Sequence, residues 1–247
     1  MLTSLVFIAA AAAETVSAGF PTPAASSRAP ASPWGEWLRA RELRPVGTPV
    51  HSYAGDVIPM PAARVVDLPL VPGDLQQCAD SILRLRATWE RETGHSPAFH
   101  YTSGYLSAWA DWAAGARPRV SGSKVTKGSG GRKGTDDANF SAWLADLFMY
   151  AGTYSLAKEV KAVTPDAVAP GDVLVAPGSP GHAVLVLDVA RNADRAWVLV
   201  GQGFMPAMDF HVIAGPDHGW FPVSGDLLPS EPIALPWRSL GRFPTGS

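Results

Sequence analysis

The chain has 247 residues, 47% of them hydrophobic, which is enough for one large domain with its own core. A formal net charge of -2 argues against binding nucleic acid or anionic membranes by bulk electrostatics, and a single cysteine excludes an internal disulfide. Its 24 glycines and 23 prolines call for many turns, and nine tryptophans supply core anchors and aromatic surface for a peptide- or glycan-facing groove.

From the N-terminus, Leu5 to Ala13 is an apolar run too short to span a bilayer, with no Lys or Arg ahead of it. Val16-Ser17-Ala18 has the small-residue spacing of a signal-peptidase site, and Pro21 to Ser27 reads as a tether. Residues 1–33 are therefore expected to be a signal peptide and flexible tether. They imply export to the periplasm or cell envelope, with no stable membrane insertion after leader removal. Residues 34–247 are expected to form one domain.

Within that domain, Trp34 to Arg41 reads as a short helix, and Thr48 to Tyr53 and Ala63 to Leu70 as strands. Val71-Pro72-Gly73-Asp74 is turn-like, and Asp74 is a fair N-cap for a helix from Leu75 to about Glu92. Its apolar stripe is Leu75, Cys78, Ile82, Leu85 and Trp89. Phe99 to Thr102 suits a strand, and Tyr105 to Ala114 a helix carrying Trp109 and Trp112. Arg117 to Asn139 has no apolar period and reads as a long mobile loop. Its basic residues Arg117, Arg119, Lys124, Lys127, Arg132 and Lys133 suit either a lid for an anionic ligand or a solvated segment. Phe140 to Tyr150 and Ser155 to Val160 read as helices. After Pro170-Gly171 the pattern turns to strands: Asp172 to Ala176, His182 to Ala190 and Ala196 to Gln202 form an antiparallel meander, and Asp209 to Ile213 a further strand. Helices first and strands later predict an α+β domain.

Cys78 falls in the first turn of its helix, where free N–H groups and the helix dipole favour a thiolate. His182 opens a strand that is apolar on both faces, so its imidazole needs a polar partner and suits a general base. A third polar group would orient that ring. Gln202 qualifies if the two strands form a tight hairpin. Asp188 lies on the same face but about 20 Å along the strand. Gln76 and Gln77 flank the thiol as candidate oxyanion donors, with Trp109 and His211 as further candidate substrate contacts. The competing reading of Cys78 is a buried structural thiol. A zinc site from His182, His211 and Asp209 or Asp172 lacks any close-spaced ligand pair, and no phosphate-loop or dinucleotide motif occurs, so no cofactor or metal is expected.

The run Leu75-Gln76-Gln77-Cys78-Ala79-Asp80-Ser81-Ile82 resembles a bacterial family described only as domain of unknown function 4846. So do Tyr150-Ala151-Gly152-Thr153-Tyr154, Gly171-Asp172-Val173, Pro180-Gly181-His182-Ala183 and Gln202-Gly203-Phe204-Met205-Pro206-Ala207. The family's Gln-Ser-Tyr-Met-Pro-Ala-Gln is without its Ser and second Gln in this chain. The strand pair at Gly171–Val175 and Gly181–Val186 is also similar to that of NlpC-type cell-wall cysteine peptidases. There a helix-start cysteine precedes a strand histidine and a polar residue on the next strand; Gln77-Cys78-Ala79 replaces their Asp-Cys-Ser. That similarity implies a papain-like, NlpC-like fold with N-terminal helices packed on a C-terminal antiparallel sheet. It implies an exported cysteine hydrolase or acyltransferase acting on amide or ester bonds through Cys78, His182 and Gln202, with a cell-wall peptide as substrate. The alternative is a non-catalytic envelope module of the same fold that binds peptide or glycan.

Overall fold

The computed structural model describes residues 13–244; the apolar run expected as a leader lies, up to Ala12, outside the described residues. Among the described residues six α-helices occur: α1 (Val16–Gly19), α2 (Pro33–Arg39), α3 (Cys78–Glu92), α4 (Trp109–Ala113), α5 (Asp137–Tyr150) and α6 (Thr153–Glu159). The strands are β1 (Ser27–Arg28), β2 (Val50–His51), β3 (Val57–Ile58), β4 (Ala62–Val65), β5 (Ala98–His100), β6 (Leu106–Ala108), β7 (Arg117–Ser121), β8 (Lys124–Gly128) and β9 (Lys161–Ala162). They continue with β10 (Val173–Ala176), β11 (His182–Arg191), β12 (Ala196–Gln202), β13 (His211–Ile213), β14 (Trp220–Pro222), β15 (Leu227–Leu228), β16 (Leu235–Pro236) and β17 (Leu240–Arg242). The chain is mixed α and β, as its sequence pattern predicts.

A nine-stranded antiparallel sheet organises the molecule along the path β4-β13-β12-β11-β10-β17-β9, with β1 on β11 and β14 on β12. The expected meander is β10-β11-β12. Strand β11 is apolar at consecutive positions because both its faces are covered. Ala183, Leu185 and Leu187 join the core shared with Ile82, Leu83 and Leu85 of α3. Val184 and Val186 face a second core closed by Leu228, Leu235 and Trp237.

The segment expected as a tether is folded. Val16 and Phe20 are buried, β1 pairs with Ala190 and Arg191 at the end of β11, and Trp220 Nε1 donates to Pro21 O at 2.9 Å. Its anchor is Asp188, wholly buried at a register shift in β11. Asp188 accepts from Arg28 Nε and Arg39 Nε, each at 2.7 Å. Burying a carboxylate demands such partners, and composition alone conceals them because they lie 160 and 149 residues away. The sequence candidacy of Asp188 as a partner for His182 ends there.

Three further expectations change. Arg117 to Asn139 is a β7–β8 hairpin plus the start of α5, with Val120 paired to Val125 across a turn at Gly122. Its charge density masks the two-residue turn signal. Tyr105 to Ala114 splits into β6 and the shorter α4, because Leu106 to Ala108 pairs with β5. Helix α3 starts at Cys78 rather than Leu75. Gln77 is its N-cap and donates its backbone N–H to Asp80 Oδ2 at 3.1 Å. Asp74 instead holds the loop after β12, accepting from Ala207 N at 2.6 Å.

Replacing Asp188 by Ala leaves Arg28 and Arg39 facing each other without their carboxylate. The expected loss is about 3–5 kcal/mol in urea unfolding. A loss under about 1 kcal/mol would show that the neighbouring carbonyls alone satisfy the two arginines.

Candidate active site

Cys78 is the first residue of α3 and is 6% exposed. It lies on the floor of a cleft of ≈ 470 Å³ whose walls include Gln77, Asp80, Thr153, the Gly178–Gly181 loop and Met205. That volume suits a small ligand or a short peptide segment. The lip is glycine-rich for a steric reason: a Cβ on Gly181 would stand 2.2 Å from Thr153 Oγ1 and 2.7 Å from the Gly178 amide.

His182 opens β11 directly behind that lip. Strand parity places it with Val184 on the face turned away from α3, while Ala183 faces the helix. At the strand end the Cys78 sulfur meets the backbone of Ala183, the residue after His182. The β11–β12 ladder runs only from Leu185–Gly201 onward, so the start of β11 is free on that side. The Ala183 N–H, one peptide beyond His182, stabilises charge on the Cys78 sulfur from that gap. Gly203 keeps the gap open, since a Cβ there would meet Ser81 Oγ at 2.6 Å and Gln77 O at 3.1 Å.

His182 Nε2 lies 2.8 Å from Gln202 Oε1. The direction of that bond follows from a third group. Gln202 Nε2 donates to the Glu231 backbone carbonyl at 2.8 Å, and a carbonyl can only accept. The amide oxygen of Gln202 therefore faces His182, whose Nε2 carries the proton. His182 Nδ1 is left with a lone pair. It is buried and without a hydrogen-bond partner among the described residues. Phe204 packs edge-on against the ring at 5.3 Å and shields it from water.

Both groups are neutral at rest. Burial pushes the Cys78 thiol up to about 11, with the Asp80 carboxyl adding to the rise. Burial holds His182 down to about 4, against a smaller upward pull from Gln202. Asp80 is itself pushed up to about 8 by burial, so near neutrality it is mostly uncharged beside the thiol. No hydrogen bond joins Cys78 to His182 in this arrangement.

Of the remaining sequence candidates, Gln77 lines the cleft. Gln76 does not: it is fully buried, and its Oε1 accepts from Val71 N at 3.3 Å and Arg84 Nη1 at 2.6 Å, which braces the turn before α3. Trp109 is also removed from the cleft, packed in the core against Phe140 and Trp143 because α4 lies over α5. His211 is buried and pairs with Gln202 across β12–β13. Asp172, raised as a zinc ligand, is bound by Arg242 at 2.6 Å. Sequence reading passed over two groups. Asp80 could have been found from the acid three residues after the N-cap. The Glu231 carbonyl carries no side-chain signal at all.

An imidazole held near 4 when folded and near 6.5 when unfolded takes up its proton mainly in the unfolded chain between those values. Stability should therefore fall as pH drops from about 6.5 to 4, by about 3 kcal/mol from this group. In His182→Gln this contribution should vanish in urea titrations across that range. Parallel pH curves for parent and variant would refute the lowered histidine pKa.

No curated protein and no solved structure matches the chain. One family model does, over residues 16–230, which takes in α1, the cleft, His182, Gln202 and His211. The chain therefore belongs to the family described as domain of unknown function 4846.

Proposed function

We propose that this protein is a papain-like thiol hydrolase or acyltransferase acting on amide or ester bonds. The observation that carries the reading is the orientation of His182. Its Nε2–H is committed to Gln202, and its Nδ1 lone pair is buried and unclaimed on the residue just before Ala183, whose N–H faces the Cys78 sulfur. A buried nitrogen without a donor is costly, and a proton-accepting role is one explanation for keeping it.

In this reading Cys78 Sγ attacks the substrate carbonyl carbon while its S–H proton passes to His182 Nδ1. The carbonyl π electrons move to oxygen, which is held by the Cys78 N–H at the start of α3 and by Gln77. Collapse of the tetrahedral adduct re-forms the carbonyl. It expels the amine or alcohol, which takes the proton from His182. Water, or an acceptor amine or alcohol, then attacks the thioester with His182 as base, and the thiol is restored. Starting from neutral partners, the thiol is activated only as bond formation begins, so His182 acts as a general base and not as half of a resting ion pair.

The cleft carries the exposed Asp74 at its rim and no Lys or Arg among its lining residues, which favours neutral or amine-bearing peptides over anionic ones. A cell-wall-derived peptide in the envelope fits this class. Export is proposed from the apolar run at Leu5. In this reading a cleavage ahead of Val16 leaves the packed side chains of Val16 and Phe20 in the mature fold. The second reading, a non-catalytic module that binds peptide or glycan in the same cleft, is favoured by one observation: burial raises the thiol to about 11.

Iodoacetamide labelling of Cys78 between pH 5 and 8 separates the two. The enzyme reading predicts labelling about a hundredfold faster in the parent than in His182→Ala, the scale of general-base assistance. Equally slow labelling in both proteins would leave the binding reading.

A further inference from the structure

We infer that His211 is a positioning residue that sets the tautomer of His182 through Gln202; the inference rests on the reading of Cys78 and His182 above. The Gln202 side chain is fully buried, so both N–H groups of its amide need acceptors. One is taken by the Glu231 carbonyl. The other faces His211 Nε2 at 3.3 Å. Two nitrogens at that distance bond only if one donates and the other accepts.

The far side of His211 decides which. Its Nδ1 lies 2.9 Å from the backbone carbonyl of Asp209, which can only accept, so Nδ1 carries the proton. Neutral His211 then offers the lone pair of Nε2 to Gln202. Burial supports this by lowering its pKa. Two backbone carbonyls, of Asp209 and Glu231, thus fix the direction of every hydrogen bond in the line His211, Gln202, His182. The line ends at the free lone pair of His182 Nδ1. No other sense of the bonds satisfies both carbonyls.

Without an acceptor at position 211, the second N–H of Gln202 is orphaned. An amide rotated half a turn, which presents an N–H to His182, then forfeits only the Glu231 bond instead of both bonds and is correspondingly more populated than in the parent. His182 must then accept at Nε2 and carry its proton on Nδ1, where it can no longer take one from Cys78. Protonated His211 would have the same effect. The titratable or charged groups around it are His182 and the Asp209 carboxylate, which is itself held by Arg44 at 3.0 Å and lies 3.5 Å from His51. From β4, Val65 stands opposite His211, with Arg64 opposite Val212.

The test reads ring-nitrogen NMR shifts of His182 and His211 in the full 15N-labelled chain. In the parent, His211 should be protonated at Nδ1 and His182 at Nε2; the opposite tautomer at either ring overturns the proposal without any variant. In His211→Leu the His182 tautomer ratio should shift toward Nδ1–H by about tenfold or more. His211→Gln, which can accept from Gln202 and donate to Asp209, should restore the parent ratio. An unchanged ratio in His211→Leu overturns the proposal. The tautomer readout does not depend on Cys78 being reactive, so a thiol that labels slowly with or without His182 refutes the enzyme reading while this test stands.

Discussion

A buried amide that must satisfy two N–H groups and one oxygen is the constraint around which this site is arranged. Gln202 has no access to water, and one of its neighbours is a backbone carbonyl that can only accept. That one-way partner removes the usual ambiguity of a side-chain amide and passes a defined orientation to His182. The enclosing parts follow from the same demand. Strand β13 supplies His211 in register with Gln202, and the segment around Glu231, between β15 and β16, closes the second core and brings its carbonyl to the amide.

The thiol reaches this arrangement because α3 packs along the face of β11 and its N-terminus comes to the open end of that strand. Further along the strand, Leu185 and Leu187 of β11 fill the core shared with α3. At the first residues of the strand β12 has already parted, and the N-terminus of α3 occupies the space beside Gly203. A helix N-terminus stabilises negative charge, while burial of the sulfur opposes it. Burial prevails here and holds the thiol near 11. The charge-stabilising amides therefore act when charge develops during attack, not beforehand.

Holding such a gap open requires a rigid surround. Asp188, with Arg28 and Arg39, ties the N-terminal segment and α2 to the far end of β11, and Asp74 ties the turn before α3 to the loop after β12. Both are carboxylates whose partners are remote in sequence. That explains why residues 13–33 and the turn at Val71–Asp74 read as tether and cap when only local pattern is considered.

The sequence alone determined what local physics controls. The mixed α and β character, the β10-β11-β12 meander, α3 with its apolar stripe and Cys78 in its first turn all follow from periodicity and turn residues acting over a few positions. Gln202 was legible as a partner for His182 by residue type, but the turn alone does not put them on one face: the register shift between Val186 and Asp188 does. The tertiary structure alone decided the rest. It withdrew Gln76 and Trp109 from the cleft, gave Asp188 to two arginines, folded the basic stretch into a hairpin and brought a carbonyl from residue 231 to orient the amide. Each of those outcomes depends on which buried polar atom finds a partner tens of residues away. Such a choice is set by the desolvation of groups brought together only when the chain closes, and no local spacing encodes it.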